Sequence, residues 1–352
     1  MSSDSSKAAD KQLKHELHHA VLHSFDAQAD RPILKHINAD SSWLLSLPYP
    51  SHAPPPPGRY RFNILIDAWL RGPQVDLFSW FSSQEHANPS SVQSLNELSG
   101  LLEKAEAAVV LPHRDENGQS RAPACFIDAV CCSHEFTDHC HEATLRELPS
   151  NVPVFAPSKA ASLVRSWKHF TTVVEIPVFK TGFDWRVGSL LPLQKWIGLG
   201  RVHTQGDAPI HFHSALVITF SLSSTSQAEA IVYTPHGVTS GSMEIMTTAK
   251  PPVKTLALLH GLHDVSLLGA RLNLGMENAI KTQKLLSAPY WFRTHDEVKI
   301  AKGIVASFLK RAEHTLQIAP GSHPITDPEA QTEFMSEKSF VELGNGESIV
   351  LK

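Results

Sequence analysis

The run Ser133-His134-Glu135-Phe136-Thr137-Asp138-His139 constrains this chain more than any other stretch. It follows an apolar segment, Cys125-Phe-Ile-Asp-Ala-Val-Cys-Cys132, which reads as a buried strand. It precedes Glu142-Ala-Thr-Leu-Arg-Glu-Leu148, whose composition favours a helix. Two histidines and an aspartate therefore sit on a strand-to-helix turn, where side chains can converge. Imidazole and carboxylate together suit a borderline-soft divalent cation.

The rest of the chain narrows the setting. A length of 352 residues is enough to bury a large core. The net charge is −4 and there is no lysine-arginine block, so nothing argues for a nucleic-acid partner. No apolar run is long enough to span a membrane. The polar start, Met1-Ser-Ser-Asp-Ser-Ser-Lys7, lacks the apolar core of a signal peptide. The four cysteines, Cys125, Cys131, Cys132 and Cys140, crowd around the motif without disulfide-framework or zinc-knuckle spacing. They read as reduced apolar residues of a cytoplasmic protein.

Residues 1–12 read as disordered and 13–29 as a helix with Leu13, Leu17, Val21 and Phe25 on its apolar side. His15, His18, His19 and His23 belong to that helix and are read as incidental. Residues 30–352 read as one domain. Strands are expected at Ser42–Pro48, Arg61–Asp67, Ala107–Leu111, Val152–Phe155, Val173–Pro177, Trp196–Leu199, Ala215–Phe220, Ala230–Tyr233 and Lys254–Leu259. Ser51–Gly58, with four prolines, is a stiff loop between two of them. Helices are expected at Ser91–Glu106, Ser158–Trp167 with Ser158 as a candidate cap, Asn278–Leu286 and Val298–His314. Strands in two groups with interleaved helices suit two packed sheets with helices outside.

With these residues in view, the chain resembles the metallo-β-lactamase superfamily, whose signature is His-x-His-x-Asp-His on a strand-to-helix loop. Here it reads His134-x-Phe136-x-Asp138-His139, so phenylalanine stands at the second histidine. The strand Arg61–Asp67 ending in aspartate, and Tyr290-Trp-Phe-Arg-Thr-His295 near the end, fit the same pattern. The lactonase-like and phospholipase-D-like branch, with its uncharacterised fungal members, is the nearest in character. The resemblance covers roughly residues 37–352. It implies an α/β fold, a four-layer αβ/βα sandwich, and a metal-dependent hydrolase acting on an ester, lactone, amide or phosphodiester bond of a small molecule.

Carried residue by residue, the resemblance gives one divalent metal, Zn2+ with Mn2+ or Fe2+ as alternatives, on Asp138, His139 and His295. Asp138 would also handle the proton. His134 survives from the other metal position, while Phe136 cannot ligate. His236, in Thr234-Pro-His-Gly237, stands where the family has a bridging aspartate and is counted among the candidate ligands. His211 and His213 compete for the family's middle histidine, with strand alternation as the plainer reading. His260 could reach the mouth, and His263 lies beyond it. Asp67 could accept the N–H of a ligating histidine, or merely start a turn. His141, two residues past His139, is expected to point away. Trp69, Trp80, Phe81 and Trp291 read as packing residues, although Trp69 follows Asp67 closely enough to line the mouth.

Two other classes stay open. The fold could persist as a non-catalytic binding or scaffold module, which Phe136 and His236 favour. A mononuclear iron oxygenase also uses two histidines and one carboxylate.

Overall fold

The computed structural model describes residues 30–75, 78, 80–109, 125–204, 213–223, 227–314 and 339–352. The expected N-terminal disorder and helix, and His211, lie outside the described residues; of the strand placed at 107–111, residues 110–111 lie outside them too, and 107–109 are not a strand but the end of a helix and a turn.

Two sheets form the body. Sheet I holds β1 (Ile33–His36), β2 (Trp43–Pro48), β3 (Arg61–Ile66), β4 (Ala129–Cys131), β5 (Val154–Ala156), β6 (Val173–Glu175) and β13 (Ser348–Val350), in the order β13-β1-β2-β3-β4-β5-β6. Sheet II holds β7 (Ile197–His203), β8 (Ser214–Phe220), β9 (Ala228–Thr234), β10 (Val253–His260), β11 (Tyr290–Phe292) and β12 (Phe340–Val341), in the order β12-β11-β10-β9-β8-β7. The strand expected at 125–132 is confined to β4, within which all three residues are buried.

The strands are apolar on both faces because each face meets a different layer. In β3, Ile64 and Ile66 point between the sheets, where they join Trp43, Leu45, Ile218, Ile231, Tyr233, Leu259 and Phe292. Leu65 points the other way, into the layer of α1 (Leu95–Ala107) and α3 (Ser158–Ser166), with Leu98, Leu101, Ala160 and Val164. On the outer face of sheet II, Val217, Val232 and Leu258 pack with Met243 and Met246 of a 3-10 segment and with Ala279 and Ile280 of α4 (Met276–Leu286). Each fully buried aliphatic side chain contributes about 1.5–3 kcal/mol over its exposed state. Three cores separated by two sheets make four layers.

The ends of α1 and α3 show local chemistry kept and overridden. Ser94 accepts the Glu97 N–H and caps α1, while Glu97 accepts the N–H of Gln93. At α3 the cap residue is Pro157, with φ −59°, and Ser158 is already helical. Proline's fixed φ starts the helix one residue earlier than the sequence suggests.

The region 298–314 is not the expected helix. Ile300–Lys302 pairs with Ser83–Glu85, a 3-10 turn spans Val305–Ser307, and Leu309–Ala312 pairs with Asp264–Leu267. Gly303 at φ 92° breaks the run, and its β-branched residues find partner strands that local periodicity cannot report. Trp80 also departs from expectation: it is 63 % exposed and stacks on exposed Phe78. The four cysteines are free, as expected. Among the described residues, no helix is long and apolar enough to cross a membrane.

β3 and β4 run parallel, with Ile66 beside Cys131; β9, β10 and β11 run parallel, with Thr234 beside His260 and Leu259 beside Phe292. Parallel pairing brings the C-terminal ends of these strands to one edge, where α/β folds place their sites.

Candidate metal centre

The residues just past those strand ends meet. Asp67 follows β3, His134, Asp138 and His139 follow β4, His236 follows β9, and His295 follows β11. Asp67 and His295 have φ of 46° and 60°, a left-handed backbone uncommon outside glycine. Such conformations persist where surrounding contacts over-determine them. For His295 the contacts are visible. Its N–H donates to the Asp40 carbonyl. The next two residues are clamped: Asp296 accepts the N–H groups of Leu262 and His263, and Glu297 accepts the Asn88 N–H and contacts His86 Nδ1 at 2.5 Å.

Asp67 sits at 2.7 Å from His139 Nδ1 and also accepts the Ser133 N–H and hydroxyl. The carboxylate accepts a hydrogen bond from Nδ1–H, so His139 can present Nε2 as a lone pair. His236 Nδ1 lies 2.8 Å from Asn273 Oδ1, which orients that ring the same way. The two Nε2 atoms then face each other at 3.0 Å. Two lone pairs at this distance need a positive centre between them. A proton can serve: burial disfavours the charge on His139, but Asp138 and Asp67 outweigh it and raise its pKa. His236 cannot hold the proton, since burial and the neighbouring His295 and His139 push its pKa well below the usual value. A metal cation is the other candidate. The Nε2-presenting imidazoles, with a carboxylate and an amide behind them, are the donor set such a cation prefers.

His295 completes a three-imidazole group with His139 and His236, whose ligand atoms lie within 4.8 Å of one another. Its Nε2 also faces Asp138 Oδ2 at 3.0 Å, and its Nδ1 lies 3.3 Å from Asn273 Nδ2. Asp138 lies 3.6 Å from His139 Nε2 through its other oxygen. Burial alone would raise the Asp138 pKa, yet His139, Lys299 and His295 hold it well below the carboxylate range. His134 stands beside the group, its ring centroid 5.8 Å from that of His139 and 5.5 Å from that of His236. Phe136 stacks on His134 at 4.4 Å, so the residue that departs from the motif covers its neighbour.

Two members of the cluster were not singled out from sequence. Asp40, completely buried, lies 2.8 Å from Lys299 Nζ, and Lys299 also reaches Asp138 at 3.2 Å. Burial opposes both charges, but each offsets the other: Lys299 is held above the ordinary lysine value and Asp40 is pulled down to about 2. Asp40 hides in Asn38-Ala-Asp-Ser-Ser42, which reads as turn chemistry. Lys299 hides in the segment mistaken for helix. Its spacing of four after His295 was the available signal.

Other candidates fall outside the cluster. His213 Nδ1 lies 3.3 Å from the His236 carbonyl oxygen and Nε2 lies 3.2 Å from that of Arg271, which ties strands together. His260 is buried under α4, its Nδ1 donating to the Gly261 carbonyl and its Nε2 accepting from Asn278. His263 contacts Arg311. His141 points away, as expected, and caps the short helix α2 (Glu142–Leu145). Trp69 is buried and stacks on His86 at 3.8 Å.

No protein-family model and no curated protein matches this sequence. Solved structures do match its shape. An isothiocyanate hydrolase from Delia radicum gut bacteria is 15 % identical with a TM-score of 0.51, over 91 % of this chain and 99 % of that chain. A possible metal-dependent hydrolase from Veillonella parvula DSM 2008 is 13 % identical with a TM-score of 0.53, over 91 % and 100 %. Igni18, a metallo hydrolase from the hyperthermophilic archaeon Ignicoccus hospitalis KIN4/I, is 12 % identical with a TM-score of 0.50, over 91 % and 98 %. Identities this low speak to fold alone, and together with the two sheets and their flanking helices they show that this chain has the metallo-β-lactamase fold.

Proposed function

We propose that the protein is a metal-dependent hydrolase with one divalent cation on His139, His236 and His295. The observation that carries this reading is the 3.0 Å approach of two Nε2 atoms whose Nδ1 partners are both oxygen acceptors. When bound, such a cation supplies Lewis acidity, polarising a carbonyl or phosphoryl oxygen and bringing the pKa of water towards ~7.

The chain's own groups do the rest. Asp67 and Asn273 fix the His139 and His236 rings, so little reorganisation is needed. Asp138, kept ionised, accepts the proton of the attacking water at the oxygen beside His139 and returns it to the leaving group. His134 is held neutral by burial and by its neighbour His139, so it can donate or accept a hydrogen bond without adding charge. The substrate class is a small-molecule ester, lactone, amide or phosphodiester; fold likeness cannot choose among these. Zn2+ suits the imidazoles best, with Mn2+ and Fe2+ as alternatives.

The test is metal analysis of protein purified without added metal, paired with an esterase and phosphodiesterase screen. Metal content near one equivalent and chelator-sensitive hydrolysis are expected. A protein that takes up no metal under loading conditions would overturn the reading and favour a scaffold role.

A further inference from the structure

Two donor groups share His295. One is the three-imidazole group; the other is Asp40, Asp138 and His295, also with its ligand atoms within 4.8 Å of one another. We propose that the Lys299 ammonium is a built-in cation that takes the second position, so that metal can load at the three-imidazole group but not beside it. The inference rests on the metal reading above for the first position only.

The geometry is that of a cage. Lys299 Nζ lies 2.8 Å from Asp40 Oδ2, 3.2 Å from Asp138 Oδ2 and 3.4 Å from His295 Nε2. Two carboxylates, Asp40 and Asp138, face the ammonium, while His295 Nε2, whose own N–H points at Asp138, flanks it without accepting. The Trp69 ring closes another side, 5.2 Å from Nζ to the centroid. The Lys299 side chain is 4 % exposed and Asp40 is fully buried. A buried carboxylate pair needs a positive partner, and the chain supplies one itself. Lys299 is carried by the loop that Asp296 and Glu297 clamp, so its ammonium is held in place by the same contacts that hold His295. A dication at the same point would meet a fixed positive charge at close range in a poorly screened pocket. Ammonium and second metal therefore exclude each other.

The full-length protein is to be loaded with excess Zn2+, desalted and measured by elemental analysis, alongside Lys299→Met and Lys299→Arg. The wild type and Lys299→Arg are expected to hold at most one equivalent. Lys299→Met is expected to gain one more, and its thermal midpoint should rise with added Zn2+ further than that of the wild type. Two equivalents in the wild type, or no gain in Lys299→Met, would overturn the inference. A wild type without metal beside a Lys299→Met that binds one would support it while defeating the hydrolase reading. Should Lys299→Met not fold, the wild-type count decides: two equivalents overturn the inference, and one or none at excess Zn2+ supports it.

Discussion

The carboxylate of Asp67 lies 2.7 Å from Nδ1 of His139, and that contact turns the other ring nitrogen towards the centre. Both side chains are fully buried, so the tautomer is set by a partner that water cannot replace. Asp67→Asn keeps the shape but loses the full negative charge behind the ring. Zn2+ affinity should fall about 10–100-fold, read by competition with a chelating dye. Unchanged affinity would show that His139 is not a ligand.

Asp138→Asn tests the proton-handling role. The amide keeps an oxygen near Lys299 but cannot accept a proton at neutral pH. Hydrolysis of a confirmed substrate should drop about 10²–10⁴-fold, with the far-ultraviolet circular dichroism unchanged. Because Asp138 pairs with buried Lys299, Asp138→Ala is expected to lose stability as well, by about 3–5 kcal/mol. Wild-type turnover in Asp138→Asn would remove the residue from the chemistry.

Phe136→His restores the usual motif. With Lys299 in place, we expect metal content to stay at one equivalent, since an added imidazole does not remove the ammonium from Asp40 and Asp138. The double variant Phe136→His, Lys299→Met should exceed it. Elemental analysis of the pair separates the contribution of the missing ligand from that of the resident cation.

Acid should weaken the fold through His260. Burial depresses its pKa from 6.5 to about 4, and its contacts suit the neutral ring, with Nδ1–H donating to Gly261 and Nε2 accepting from Asn278. A histidine with a lowered folded pKa supports the fold fully above its unfolded value and loses that support as pH falls through the folded one. The window is therefore 6.5 down to about 4, and at about 1.4 kcal/mol per pKa unit the loss approaches ~3 kcal/mol. Asp296, raised to about 7 by burial, works in the opposite sense, since its contribution is present at low pH and lost as pH rises towards 7. Comparing wild type with His260→Asn isolates the histidine. Urea unfolding at about pH 7 and about pH 4.5 should show a smaller drop for the variant.

The sequence carried the inner strands of both sheets, because residues such as Ile64, Leu65 and Ile66 are apolar on consecutive positions, as in a strand covered on both faces, but not the short edge strands β12 and β13. It carried the motif turn and the candidates Asp138, His139, His236 and His295, because their residue types and order along the chain are local facts. Their meeting was not local. Asp67 and His295 adopt left-handed backbone conformations that no propensity predicts. His236 comes within 3.0 Å of His139 because parallel β3–β4 and β9–β10–β11 end at one edge. Lys299 and Asp40 read as helix and turn in one dimension and became an ion pair only when the β1–β2 loop met the loop after β11. The local pattern fixed which side chains could bind a cation. The tertiary structure decided which of them face one another, because buried charges far apart in sequence must find partners that only the packed sheets bring within reach.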